Sequence, residues 1–143
     1  MNDIKGLVNY LTRKHRSNNP FDIAQSLSII VLFEDLGKLY GYYNYQKRFK
    51  FIHINNKLSE LERIFVCAHE LGHSVLHPRS NTSFMRQNTY FSLDKMEVEA
   101  NMFAVELLLP DEKILNFNNT QFSVEELCEI HGIPRELANL KKF

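Results

Sequence analysis

The sequence of 143 residues has no tryptophan, only two cysteines and five glycines, and no excess of either charge. Its 17 Lys and Arg balance 17 Asp and Glu, so it lacks the clustered basic charge that binds nucleic-acid phosphates. The glycines are scattered and form neither of the glycine-rich motifs that bind nucleotide phosphates. We therefore expect neither direct binding of nucleic acid nor a phosphate-binding loop.

Long hydrophobic runs are also absent. The longest apolar runs, 29–33 and 107–109, are far shorter than the roughly 20 residues of a transmembrane helix. The first residues lack the apolar segment of a secretory signal peptide. These observations predict a cytoplasmic protein without a membrane span, in which Cys67 and Cys128 are reduced.

Length and pattern predict one α+β domain spanning residues 1–143. Apolar residues at helical spacing predict helices over 4–16, 20–27 and 59–77, a further helix ending before Pro110, and a helical pair within about 123–141. β-branched and aromatic runs predict three strands, at 29–33, 40–45 and 49–54. The last two flank Gln46 and Lys47 and are expected to form a hairpin.

Three local expectations accompany these elements. The continuous apolar run 29–33 is typical of a buried strand. The alternation of apolar residues slips at Phe51 and Ile52, which a bulge would explain. The polar segment 78–92, rich in Ser, Asn and Thr, is predicted to be irregular and to form a mobile lid.

One motif carries chemistry, the H-E-L-G-H sequence of residues 69–73. It lies in the predicted helix 59–77, which begins with a Ser-x-x-Glu capping box. One helical turn separates His69 from His73, so both imidazoles reach a single Zn²⁺. Glu70 is then placed to act on bound water as a general base.

A third ligand is expected downstream, because a catalytic zinc site has three protein ligands and one open position. Residues 96–101 offer two glutamates. On a helical wheel, Glu97 and Asn101 share a face with apolar residues, whereas Glu99 lies on the polar side. A buried carboxylate is costly unless it is paired or binds metal, so we interpret Glu97 as the ligand and Glu99 as solvated. Asn101, one turn on, is predicted to orient a ligand.

Further side chains are candidates for supporting the site. His77 lies on the metal side of its helix and is predicted to hydrogen-bond around the site, to stabilise the oxyanion, or to cap the helix end. Tyr43 and Tyr90 are candidate oxyanion donors, although an aromatic residue ordinarily belongs to a core or a loop. His53 has no partner visible in the sequence and is interpreted as structural or solvated.

Together these motifs resemble the ImmA/IrrE metallopeptidases. The resemblance covers nearly the whole chain and rests most strongly on A-H-E-L-G-H at 68–73, L-H-P at 76–78, E-x-E-A-N-x-F-A at 97–104 and L-L-L-P at 107–110. It implies a minimal zincin-like domain of the gluzincin type, in which the H-E-x-x-H helix and a second ligand-bearing helix accompany a small three-stranded sheet. In this class the ligand glutamate precedes an Asp or Asn by four residues, which again indicates Glu97 and Asn101.

The resemblance also implies a function. Family members cleave helix-turn-helix repressors of prophages, of integrative mobile elements or of a DNA-damage regulon, and cleavage relieves repression. We therefore expect a zinc endopeptidase with one Zn²⁺ per chain and an Xre-type repressor as its protein substrate. Apart from the resemblance, geometry alone suggests that an extended substrate adds as a strand along the hairpin edge near 49–55. Two alternatives stay open: a zinc-stabilised protein that sequesters a repressor without cleaving it, and a regulator that binds DNA directly.

Overall fold

The computed structural model describes residues 3–84, 92–116 and 121–143. Its helices are α1 (Ile4–His15), α2 (Pro20–Ser26), α3 (Glu60–Leu76), α4 (Lys95–Leu108), α5 (Asp111–Asn116), α6 (Val124–Ile130) and a 3₁₀ helix (Arg135–Leu140). Its strands are β1 (Ile30–Glu34), β2 (Gly41–Gln46), β3 (Phe49–Asn55) and β4 (Thr82–Phe84). The α+β class is confirmed. Among the described residues, no helix is both long and apolar enough to span a membrane.

The four strands form one sheet in the order β1, β3, β2, β4. β3 pairs in parallel with β1 and antiparallel with β2, which in turn pairs antiparallel with β4. The expected sheet of three strands therefore gains a fourth from the segment predicted to be irregular. Because β3 lies between β1 and β2, the predicted pairing of a substrate with β3 is wrong.

The predicted hairpin forms, but its turn lies one residue later than expected. Lys47 and Arg48 occupy the turn, with φ angles of 51° and 70°. The register then runs without interruption, so the slip in the alternation at Phe51 and Ile52 does not mark a bulge. Ile52 is fully buried under the helices, while Phe51 lies on the opposite face of the sheet. An apolar residue on that outer face produced the apparent slip in the alternation.

Strand β1 is at the edge of the sheet rather than buried. Ile30, Leu32 and Phe33 are 38%, 40% and 47% exposed. The sequence pattern identified the strand correctly but not its position, because an apolar run does not state which strands flank it. On the outer face His53 hydrogen-bonds Glu34 of β1 and Asn44 of β2, which is a structural role.

Helices α3 and α4 pack against each other, and both contribute to the buried core. The capping box at the start of α3 is present, with the Ser59 and Glu62 side chains each accepting the other's backbone N–H. Gly72 of α3 faces Phe103 of α4 so closely that an added Cβ would lie 3.0 Å from Cβ of Phe103. The absent side chain thus lets the helices come together at the motif.

A buried ion pair holds the last helical turn of α4 to residues 141 and 142. Lys141 Nζ lies 2.7 Å from Oε1 of Glu106, and the two side chains are 0% and 3% exposed. The backbone N–H of Lys142 donates to the other carboxylate oxygen at 2.8 Å. Lys5 of α1 donates to the carbonyl of Lys142 and also pairs with Asp111. These contacts connect α1, α4 and the C-terminal residues.

Candidate metal centre

Two helices contribute the residues of the candidate metal centre. His69, Glu70 and His73 are fully buried on α3. Glu97 is in the first turn of α4, where the Asp94 side chain accepts the N–H groups of residues 96 and 97 and fixes the start of the helix. The tight packing of α3 on α4 brings these side chains together.

Three potential ligand side chains converge at one point. Nε2 of His69 lies 3.1 Å from Nε2 of His73 and 3.2 Å from Oε1 of Glu97. Nε2 of His73 lies 2.9 Å from Oε2 of Glu97. Zinc bonds of about 2.0–2.1 Å in a tetrahedron place neighbouring ligand atoms about 3.3 Å apart, so these separations suit one Zn²⁺. The structure thus brings together the three predicted ligands.

The hydrogen bonds of His69 show what kind of ion the group suits. Nδ1 of His69 lies 2.8 Å from Oδ1 of Asn101, which is itself buried. An amide oxygen can only accept, so Nδ1 carries the proton and Nε2 presents a lone pair to His73 and Glu97. Lone pairs that converge in this way repel one another unless a cation lies between them. The donor set therefore fits a metal, and Asn101 stands where the sequence placed it.

The charge state of Glu97 supports the same conclusion. Burial by itself raises the pKa of this carboxyl, whereas protonated His69 and His73, when no metal is bound, hydrogen-bond it and lower its pKa to about 2. Glu97 is consequently an ionised carboxylate at neutral pH. Its side chain is 18% exposed while both histidines are 0% exposed, so the group meets solvent on the Glu97 side.

Glu70 stands beside this group with its two oxygens in different situations. Oε1 accepts a hydrogen bond of 2.8 Å from Oγ1 of Thr82, whereas Oε2 is buried without a hydrogen-bond partner among the described residues. Burial raises the pKa of Glu70, opposed by His69, His73 and the Thr82 hydrogen bond. A buried carboxylate with one oxygen held and the other unbonded is suited to accept a proton.

Comparison with known proteins agrees with this geometry. The family model described as IrrE N-terminal-like domain, of the M78 peptidases, matches residues 24–141. The chain belongs to this family. Over 139 residues it is 49% identical to "Uncharacterized immunity region protein 2" of Bacillus phage phi105, covering 96% of this chain and 88% of that protein. Over 143 residues it is 35% identical to "Metallopeptidase ImmA" of Bacillus subtilis (strain 168), covering 96% and 83%.

The resemblance to the ImmA/IrrE metallopeptidases is thereby confirmed. A metallopeptidase family implies a bound metal, and the cluster of His69, His73 and Glu97 is where this chain brings suitable ligands together. Sequence reasoning missed Thr82, which joins the site from β4 and whose hydroxyl also accepts the N–H of Tyr43. Thr82 gave no signal because its segment was predicted to be irregular.

His77 fulfils two of the roles that the sequence left open, the helix cap and the hydrogen bonds around the site. It is the C-cap of α3, where its N–H donates to the carbonyl of His73 at 2.7 Å. Its ring lies between His73 and Glu99, with Nδ1 3.0 Å from Nδ1 of His73 and Nε2 2.9 Å from Oε1 of Glu99. The prediction that Glu99 is solvated is wrong, because its side chain is only 13% exposed and pairs with His77 of the neighbouring helix.

The two candidate oxyanion tyrosines have different outcomes. Tyr43 is fully buried on β2 and its hydroxyl donates to the carbonyl of Pro78 at 2.5 Å. Burial raises the pKa of Tyr43 to about 12. In this structure the hydroxyl holds the chain that follows α3 and is not directed at a reacting oxygen. Tyr90 lies outside the described residues, as do residues 85–91 of the lid predicted at 78–92.

Proposed function

We propose that the protein is a zinc-dependent endopeptidase that cleaves an Xre-type helix-turn-helix repressor and so derepresses a prophage or an integrative mobile element. The observation that carries this proposal is the convergence of His69, His73 and Glu97 beside Glu70. The names of the two relatives, an immunity region protein of a phage and the metallopeptidase ImmA, support the regulatory setting.

In this proposal His69, His73 and Glu97 hold the metal. Bound there, Zn²⁺ supplies a Lewis acid that polarises the scissile carbonyl and makes water a stronger acid. Glu70 accepts at Oε2 a proton from the water that attacks the carbonyl carbon. It then delivers this proton to the amine nitrogen as the C–N bond breaks, which leaves a carboxylic acid and an amine.

The surroundings of Glu70 support its role as the base. Thr82 holds Oε1, which keeps Oε2 as the oxygen that receives the proton. Burial raises the pKa of Glu70, and a base whose pKa lies nearer to neutral pH transfers protons more effectively in both directions. β4 carries Thr82 at one end of the strand order, so an extended substrate segment would pair with β4 rather than with the hairpin edge.

Glu70→Gln tests the reaction directly. We expect it to slow cleavage of the proposed Xre-type repressor substrate by about 10²–10⁴-fold, because the proton acceptor is lost. Zinc stoichiometry and repressor binding should persist, because Glu70 is not a ligand in this proposal. A chelator should stop the wild-type reaction, and Glu136→Gln, at an exposed position, should leave it unchanged.

Two outcomes would favour the alternatives. If Glu70→Gln still derepresses the element fully in cells, the protein acts by sequestering the repressor. If the purified protein instead binds operator DNA with an affinity that falls steeply with salt, it is a direct DNA-binding regulator. Its formal net charge of zero argues against the second outcome.

A further inference from the structure

A second set of hydrogen bonds lies behind the nitrogens that face the metal centre. Oε1 of Glu99 on α4 lies 2.9 Å from Nε2 of His77, and Nδ1 of His77 lies 3.0 Å from Nδ1 of His73. We propose that Glu99 and His77 form a relay that fixes the tautomer of His73 and so determines which nitrogen it offers to the metal. Both are positioning residues, and this inference rests on the proposed metal site.

The direction of the relay follows from donor and acceptor capacity. An ionised carboxylate only accepts, so Nε2 of His77 donates its proton to Glu99. In a neutral imidazole the other nitrogen then carries a lone pair, so Nδ1 of His77 accepts from Nδ1–H of His73. His73 is left with its lone pair on Nε2, the atom 3.1 Å from Nε2 of His69. Each bond is therefore determined by the one before it.

The relay provides an acceptor for Nδ1–H of His73, as Asn101 provides one for Nδ1–H of His69. Nδ1 of His69 donates directly to an amide oxygen of α4. Nδ1 of His73 points toward the end of α3, and His77 at the C-cap connects it to α4. The side chains of His77 and Glu99 are only 11% and 13% exposed, so water competes weakly for these bonds and the negative charge of Glu99 strengthens them.

Zinc affinity, measured by competition with a chromophoric chelator, tests the relay. His77→Phe keeps an aromatic ring but removes the acceptor for His73, and we expect zinc binding to weaken by about 10–100-fold. His77→Gln should recover much of this loss, because its amide oxygen can accept from Nδ1–H of His73. His131→Phe is the matched control, since His131 is the C-cap of α6.

A double-variant cycle shows whether Glu99 acts through His77. Glu99→Gln alone should weaken zinc binding less than His77→Phe, since an amide oxygen still accepts but carries no charge. The double variant should bind zinc as His77→Phe does, because the relay is already broken. Additive losses would show that Glu99 acts independently of His77 and would overturn the relay.

Nitrogen chemical shifts of ¹⁵N-labelled histidine provide a readout that does not depend on activity. In zinc-loaded wild-type protein, His73 should carry its proton on Nδ1, with exchange of that proton slowed. In Glu99→Gln that proton should exchange faster, and this measurement decides the matter if His77→Phe does not fold. Unchanged affinity and exchange in both variants would overturn the relay, whereas a wild-type protein that binds no zinc would overturn the metal site itself.

Discussion

Replacing Gly72 by alanine tests how closely α3 and α4 must pack to form the metal centre. The new Cβ would lie 3.0, 3.1 and 3.2 Å from Cβ, Cγ and Cδ1 of Phe103. Carbon atoms pack best at about 3.5–4.0 Å, so the two helices must separate by about 0.5 Å. His69 and His73 are on one helix and Glu97 is on the other, so separating the helices increases the distances between Glu97 and the two histidines.

Two opposing terms set the stability of Gly72→Ala. Alanine in a helix interior gains about 1 kcal/mol over glycine, while overpacking costs about 1–3 kcal/mol. The net loss is therefore about 0–2 kcal/mol. An unfolding entropy of about 2.1 cal/mol/K per residue converts this loss to a fall in Tm of at most about 7 °C for a chain of 143 residues. The variant should fold.

Zinc binding should respond more strongly than folding. A displacement of about 0.5 Å exceeds the roughly 0.2 Å tolerance of metal–ligand distances. We expect at least a tenfold loss of zinc affinity, about 1.4 kcal/mol. Chelator competition measures this loss and circular dichroism gives Tm. Ser74→Ala, on the same helix, adds no volume and should leave zinc affinity unchanged. Wild-type zinc affinity in Gly72→Ala would refute the argument from helix spacing.

Two further predictions concern other contacts. Lys141→Met should destabilise the fold by about 3 kcal/mol, which lowers Tm by about 10 °C, because it leaves Glu106 buried without its cation. As a control, Glu129→Gln removes a partner from an exposed ion pair and should change stability by less than about 1 kcal/mol. Thermal unfolding measures both, and equal shifts would contradict the prediction. Thr82→Val should lower kcat about tenfold with little change in KM, because Glu70 loses the hydrogen bond that holds its Oε1. A rise in KM alone would argue against a role of Thr82 in positioning Glu70.

The sequence predicted α3 and which side chains would lie together at the candidate metal centre, because several local signals agree there. A capping box, a helical apolar repeat and the H-E-x-x-H spacing all fall on the same residues. Glu97 was separated from Glu99 by the cost of pointing a carboxylate into an apolar face. The structure brings Glu97 to within 3.2 Å of both histidines. Local pattern and burial together were therefore sufficient for this part of the site.

The features that the sequence did not predict depend on contacts with distant segments of the chain. The wheel placed Glu99 on the polar side of α4, yet Glu99 pairs with His77. Glu106 of the same helix likewise pairs with a distant residue, Lys141. A helical wheel shows which face is polar but not whether another segment covers that face. Strand order could not be predicted for the same reason, since the apolar patterns of β1 and β3 do not show which strand lies at the edge of the sheet.

The pairing of Glu106 with residues 141 and 142 implies an order of events during protein synthesis. All three proposed ligands are translated well before Lys141. Until that lysine has emerged, docking α4 would bury the charge of Glu106 without a counter-ion, which is strongly unfavourable. Glu97 is on the same helix, so in a nascent chain that ends before Lys141 the ligand from α4 is held less firmly against those from α3. The site thus reaches its full stability only after Lys141 has been added, well after its three proposed ligands.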